Sequence, residues 1–125
     1  MTLVDSVGWI EFFTDGPRAT EYAKHLQKPS EVVVPTVVLY EVYKKIKSER
    51  NEEAALVAVA TLQNARIVPL TEELSLSAAD ASLSHKLAMA DAIVYASALQ
   101  EGAKVVTSDN DLKDLPQVTY LSKKS

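Results

Sequence analysis

Four carboxylates stand in or beside apolar runs, where a neutral residue is the ordinary choice. Asp5 closes the opening run Leu3-Val4, and Glu41 interrupts Val37-Val38-Leu39-Tyr40 before Val42. Asp91 opens Ala92-Ile93-Val94-Tyr95-Ala96, and Asp109 follows Val105-Val106-Thr107-Ser108. A carboxylate withdrawn from water is costly unless it is neutralised or partnered. The chain has 13 Lys and Arg, and none is adjacent in sequence to any of these acids. If the fold gathers them, the natural partner is a divalent cation. Clustered carboxylates are hard oxygen ligands that suit Mg²⁺ or Mn²⁺. Such a cluster can activate water and stabilise both oxygens of an in-line phosphoryl displacement. Asp111 is spaced to join as an auxiliary acid or to hold an outer water. Ser6, Thr107, Ser108 and Asn110 offer short polar groups for orienting bonds.

Taken singly, each acid has an ordinary reading. Asp5 and Asp109 can cap turns. Asp91 can be an N-terminal helix acid favoured by the dipole. Glu41 can pair with Lys44 or Lys45 one turn on. The lysines between Lys44 and Arg50 are a solvated helix face in the plain reading. Beside a metal site, Lys44 and Lys45 become candidate contacts for RNA phosphates. Lys123 and Lys124 add a basic tail. Tyr40 or Tyr43 can stack on a base, although the tyrosines read mostly as core or partner-facing.

The elements that must position these residues follow from periodicity and punctuation. Thr2 to Val4 reads as a strand, and Ser6 is the expected cap of a helix over Val7 to Phe13. Asp15-Gly16-Pro17 is a turn, with Pro17 expected at the first position of a helix reaching about Gln27. A buried strand follows over Glu31 to Val34. The next helix runs from Pro35-Thr36 to Arg50, with Val38, Val42, Tyr43 and Ile46 as its buried stripe. Asn51 caps a helix over Glu52 to Gln63, whose small apolar residues run nearly all round and suggest burial or a subunit contact. Arg66 to Pro69 is a third strand. Thr71 caps a helix to about Leu83, and another runs from Ala90 to Glu101 with Gly102 as its C-terminal cap. Ala103 to Thr107 is a fourth strand and Val118 to Leu121 an edge strand. This alternation predicts an α/β fold, with helices on a mainly parallel, three-layered sheet. In such sheets ligands bind beyond the carboxyl ends of the strands, which is where all four acids can meet.

The bulk properties bound the reading. At 125 residues a single domain over 1–125 is expected, large enough to fold without disulfides. There is no cysteine, which excludes thiolate metal sites and favours a cytoplasmic location. The N-terminus lacks the basic and apolar regions of a signal peptide. No apolar run approaches the roughly 20 residues of a membrane helix. The net charge of −4 argues mildly against a nucleic-acid binder, unless bound cations invert the sign locally.

Val4-Asp5-Ser6, Leu39-Tyr40-Glu41-Val42, Ala90-Asp91-Ala92-Ile93-Val94-Tyr95-Ala96-Ser97-Ala98 and Thr107-Ser108-Asp109-Asn110-Asp111-Leu112 together resemble the PIN-domain family. In length and element order the chain looks most like its VapC-type toxin branch. The resemblance implies a PIN-like fold with four or five parallel strands flanked by helices. It also implies an Mg²⁺- or Mn²⁺-dependent endoribonuclease, the toxin of a toxin–antitoxin pair. Asp5, Glu41, Asp91 and Asp109 would then be the catalytic, metal-binding acids, with Asp111 auxiliary. Ser6 and Thr107 would orient carboxylates. A metal-activated water would attack the RNA phosphodiester, leaving a 5′-phosphate and a 3′-hydroxyl. The expected partners are RNA, a small antitoxin protein and a second copy of the chain, with no membrane. Leu112 departs from many relatives, which carry an aromatic residue there.

Two other classes compete. A phosphoacceptor receiver domain has similar length and acidity, but needs an acidic pair after its first strand and a lone Asp after its third. Here Asp5 stands before Ser6, and the third strand runs into Pro69-Leu70. A catalytically silent PIN fold, used for RNA binding or protein interaction, is the alternative on the same scaffold.

Overall fold

The computed structural model describes residues 1–122, so the Lys123-Lys124 tail lies outside the described residues. Thr2–Val4 forms β1, followed by α1 (Ser6–Thr14) and α2 (Ala19–Lys24). A 3₁₀ turn at Pro29–Glu31 leads into β2 (Val33–Pro35), α3 (Thr36–Glu49) and α4 (Glu52–Leu62). Then come β3 (Arg66–Val68), α5 (Glu72–His85) and α6 (Met89–Glu101). The chain closes with β4 (Lys104–Thr107), a 3₁₀ turn at Asn110–Leu112 and β5 (Val118–Tyr120).

Every strand pair is parallel. Leu3 faces Val105 and Val4 faces Val106 across β1 and β4, while Val106 faces Thr119 across β4 and β5. Pro35 faces Val68 across β2 and β3. A single parallel bridge, Thr2 to Val32, joins the two groups, giving the spatial order β3-β2-β1-β4-β5. Leu3, Val4, Val33, Val34, Val105 and Val106 are fully buried. A parallel sheet covered on both faces needs strands that are apolar on both sides.

The strand order reverses between β1 and β4. Crossovers in parallel sheets are right-handed, so the two directions of travel put α1–α4 on one face and α5–α6 on the other. The main helix contacts follow this grouping, with α1 against α2 and α3, α3 against α4, and α5 against α6, while α3 also meets α6.

Several expected boundaries shift for physical reasons. Asp5, not Ser6, caps α1, because its carboxylate accepts from the Gly8 amide at 3.0 Å. Helix α2 begins at Ala19 rather than Pro17. Glu11 holds the preceding residues as a tight turn. It accepts from the Arg18 amide at 3.1 Å and pairs with the guanidinium at 2.9 Å. Strand β2 starts at Val33, since Pro29–Glu31 coils into the 3₁₀ turn first. Helix α4 is not buried all round: Ala55, Ala58 and Leu62 face inward, while Leu56 and Val57 are exposed. The left-handed cap at Gly102 ends α6 at φ 64°, as its residue type suggested.

Gly8 lets α1 lie directly on Tyr22 and β1. A Cβ there would meet Tyr22 Cε1 and Val4 Cγ1 at 2.5 Å. Gly8→Ala should therefore lower stability by about 1–3 kcal/mol through overpacking, read as a drop in urea midpoint at constant slope. An unchanged midpoint would show that the contact relaxes without cost.

Candidate metal centre

The strand order reverses at the carboxyl ends of β1 and β4, the position where ligands settle in open α/β sheets. Asp5 follows β1 directly and is buried. Its Oδ1 accepts from the Gly8 amide, and its Oδ2 accepts a very short hydrogen bond from the Thr107 hydroxyl. Thr107 is fully buried at the end of β4, and its Oγ1 in turn accepts from the Asp109 amide at 2.9 Å. One hydroxyl thus locks the ends of the two strands and spaces two acids. Asp109 caps the 3₁₀ turn by accepting from the Asp111 amide at 2.9 Å. That bond draws Asp111 back toward the cluster.

Asp91 lies in the first turn of α6 and is half-buried. Asp91, Asp109 and Asp111 each present a carboxylate oxygen, and these oxygens lie within 4.8 Å of one another. Asp5 and Glu41 fall outside that tight set but within electrostatic reach. Burial pushes the Asp5 carboxyl up to about 6 against the pull of its Thr107 and Gly8 bonds, and the charges of Asp109 and Glu41 push the same way. Asp91 is pushed up to about 7, first by burial, then by its contact with Asp109 and by the charges of Asp109, Asp111 and Asp5. Each of the five acids therefore acts on at least one other.

No Lys or Arg forms an ion pair with Asp5, Glu41, Asp91, Asp109 or Asp111 among the described residues. The ordinary reading of Glu41 falls here. Lys45 pairs with Glu49 at 3.0 Å, and Lys44 instead lies over the Tyr40 ring. Buried negative charge with raised pKa values and no cationic side chain fits a hard divalent cation bound by oxygen.

The other sequence candidates divide. Thr107 bonds to the Asp5 carboxylate and to the Asp109 amide. Ser6 makes no side-chain hydrogen bond to an acid among the described residues and instead lines a groove of about 280 Å³ with Ile10, Tyr40, Glu41, Lys44, Lys45 and Ser48. Ser108 is fully buried and accepts from the Tyr22 hydroxyl at 3.0 Å. Tyr22 lies 86 residues away in sequence, on α2, and no local signal marked it. Its hydroxyl anchors the segment that carries Asp109. Asp111, an auxiliary acid by sequence, belongs to the tightest group.

Similarity to known proteins agrees with this architecture. The PIN domain family matches residues 2–118. Among solved structures, a toxin–antitoxin complex from Klebsiella pneumoniae superposes at TM-score 0.79 with 22% identity, covering 95% of this chain and 96% of that one. VapC20 from Mycobacterium tuberculosis, described as a toxin that cleaves the sarcin–ricin loop, superposes at 0.73 with 20% identity, covering 89% and 92%. VapBC2 from Rickettsia felis, solved with a DNA fragment from its promoter, superposes at 0.74 with 12% identity, covering 97% of each chain. No curated protein matches the chain in sequence. With the family matched over nearly its whole length, the chain belongs to the PIN-domain family.

Proposed function

We propose that this chain is an Mg²⁺- or Mn²⁺-dependent endoribonuclease, the toxin of a toxin–antitoxin pair. The observation that carries the reading is the gathering of Asp91, Asp109 and Asp111 beside Asp5 and Glu41, with no cationic side chain paired to them among the described residues. Asp5, Glu41, Asp91 and Asp109 would hold the metal, with Asp111 as a further ligand or the holder of an outer water. The bound ion supplies an activated water and offsets charge on the phosphate oxygens. Thr107 keeps Asp5 and Asp109 in fixed orientation. Lys44 and Lys45 border the groove that Glu41 also lines, placed to meet RNA phosphates. Toxin–antitoxin complexes among the structural neighbours support an antitoxin as partner.

Asp91→Asn and Asp109→Asn should each lower Mg²⁺-dependent RNA cleavage by at least about 10²-fold, since each removes a ligand charge. Both should also weaken Mn²⁺ binding by calorimetry. Wild-type protein that takes up no Mn²⁺ would favour the silent-scaffold alternative.

The raised carboxyl groups set a pH dependence. Asp5 at about 6 and Asp91 at about 7 both titrate above the 3.8 of a free Asp. The metal-free native state therefore holds more protons than the unfolded chain between these limits. Their stabilising contribution is complete below about pH 4 and is lost as pH rises through 6 and 7. The metal-free chain should melt at a lower temperature at pH 8 than at pH 5.5, with a smaller difference in Asp91→Asn. Added Mn²⁺ should raise the melting temperature more at pH 8. A larger rise at pH 5.5 would contradict this ordering.

A homodimer is part of the proposal, and apolar exposure moves its expected face. Leu70, Leu76, Leu83 and Met89 are exposed at 44%, 66%, 82% and 76% around α5 and α6, and Leu70 and Met89 line a groove of about 330 Å³. On α4 the exposed apolar residues are Leu56 and Val57. An apolar patch of this kind marks an association surface. Leu83→Asp with Met89→Asp should convert a dimer to a monomer by light scattering, while Val57→Asp should not; the reverse pattern would restore α4.

A further inference from the structure

The groove of about 280 Å³ between α1 and α3 holds more than phosphate-facing lysines. Tyr40 lines it one residue before Glu41 and is 60% exposed. An aromatic ring left that exposed gains little from the core. Lys44, one turn on, lies beside it: its ammonium is 5.6 Å from the ring centroid and 3.5 Å from the phenol oxygen. Ring and ammonium thus stand side by side at the groove. Lys45 is engaged with Glu49 only in an exposed pair at 3.0 Å, which contributes little and can exchange for another anion. Ser6 and Ser48 add hydroxyls to the same wall, and Glu41 ties the groove to the acid cluster through its effect on Asp5.

We propose that this groove is a nucleotide subsite flanking the cleaved bond, with Tyr40 as a stacking platform for an unpaired base and Lys44 as the contact to its phosphate. The inference rests on the nuclease reading for its orientation, not for its binding chemistry. Charge decides the occupant. The chain is acidic overall at −4, yet this groove is lined by two lysines, Lys44 and Lys45, against one acid, Glu41, with Lys44 beside the exposed ring. Alternation of cation and aromatic suits a single strand, whose bases all offer a π-face and whose phosphates need a positive track. A paired base is already stacked on both sides and cannot use the platform, so the subsite favours unpaired segments.

Binding can be tested without cleavage. Fluorescein-labelled single-stranded uridine 12-mers and an abasic strand of the same length serve as probes, read by anisotropy in EDTA and again in Mn²⁺. Tyr40→Ala should bind the uridine strand roughly 5- to 150-fold more weakly than wild type, and Tyr40→Phe about as well as wild type. On the abasic strand Tyr40→Ala should lose nothing, because no base is there to stack. Lys44→Ala should weaken both strands alike and lower the salt slope by about one. Equal affinity of Tyr40→Ala and wild type for the uridine strand overturns the proposal. So does an equal loss on the abasic strand, which would assign Tyr40 a backbone or folding role. Weakened binding of a co-expressed antitoxin, with RNA affinity unchanged, would give the groove to a protein partner instead. The two readings separate cleanly. Base-dependent binding without Mn²⁺-dependent cleavage leaves the subsite standing and removes the nuclease, whereas cleavage with unaltered binding does the opposite.

Discussion

Carboxylates brought to one edge of a sheet repel one another, and each loses hydration as the neighbours close over it. Asp91 meets the charges of Asp109, Asp111 and Asp5, and Asp5 meets those of Asp109 and Glu41. The remainder of the carboxyl edge is arranged around this repulsion. Thr107 donates to one acid and accepts from the backbone of another, Gly8 donates its amide to Asp5, and the Asp111 amide caps Asp109. These bonds hold the acids in place without discharging them. Under the proposed function the residual charge would be offset by a bound cation, which is how a metal site differs from a salt-bridge network.

Rigidity at this edge comes from layers farther in. Strands apolar on both faces keep β1 and β4 in register, so that Asp5 and Asp109 emerge side by side. The bare face of Gly8 brings α1 onto Tyr22, and the hydroxyl of Tyr22 reaches Ser108 beneath the Asp109 turn. The Glu11–Arg18 clasp fixes the turn that delivers α2 to that position. Packing, helix placement and acid geometry are therefore links of one chain. A change in Gly8 or Tyr22 acts on the site through backbone position, not through charge.

The acidic centre and the lysine-bearing wall of α3 complement each other. A polyanion approaching the bare acids is repelled, and a bound cation reverses that sign locally. The lysines of α3 offer attraction only along the groove beside Glu41. Net acidity and nucleic-acid binding are compatible in this geometry, because the field that matters is that of the groove and not of the whole chain.

The amino-acid sequence by itself determined the alternation of strands and helices, the parallel character of the sheet and the order of the acids along the chain. Those features depend on local periodicity and on capping residues such as Asn51, Thr71 and Gly102, which act within a few positions. Where sequence reasoning missed, the cause was a contact between distant or differently directed side chains. Thr107 reaches Asp5 across 102 residues, and Tyr22 reaches Ser108 across 86. Pairing of Lys45 with Glu49 rather than Glu41 depends on rotamers that spacing alone leaves open. Glu11 folds back on Arg18, so a proline suited to a helix start sits in a turn instead. Only the tertiary structure decided which acids stand within one ion's reach, that Asp111 is among them and that Tyr40 faces solvent beside Glu41. The direction of a side chain is set by what packs around it, and that neighbourhood exists only once the sheet has closed.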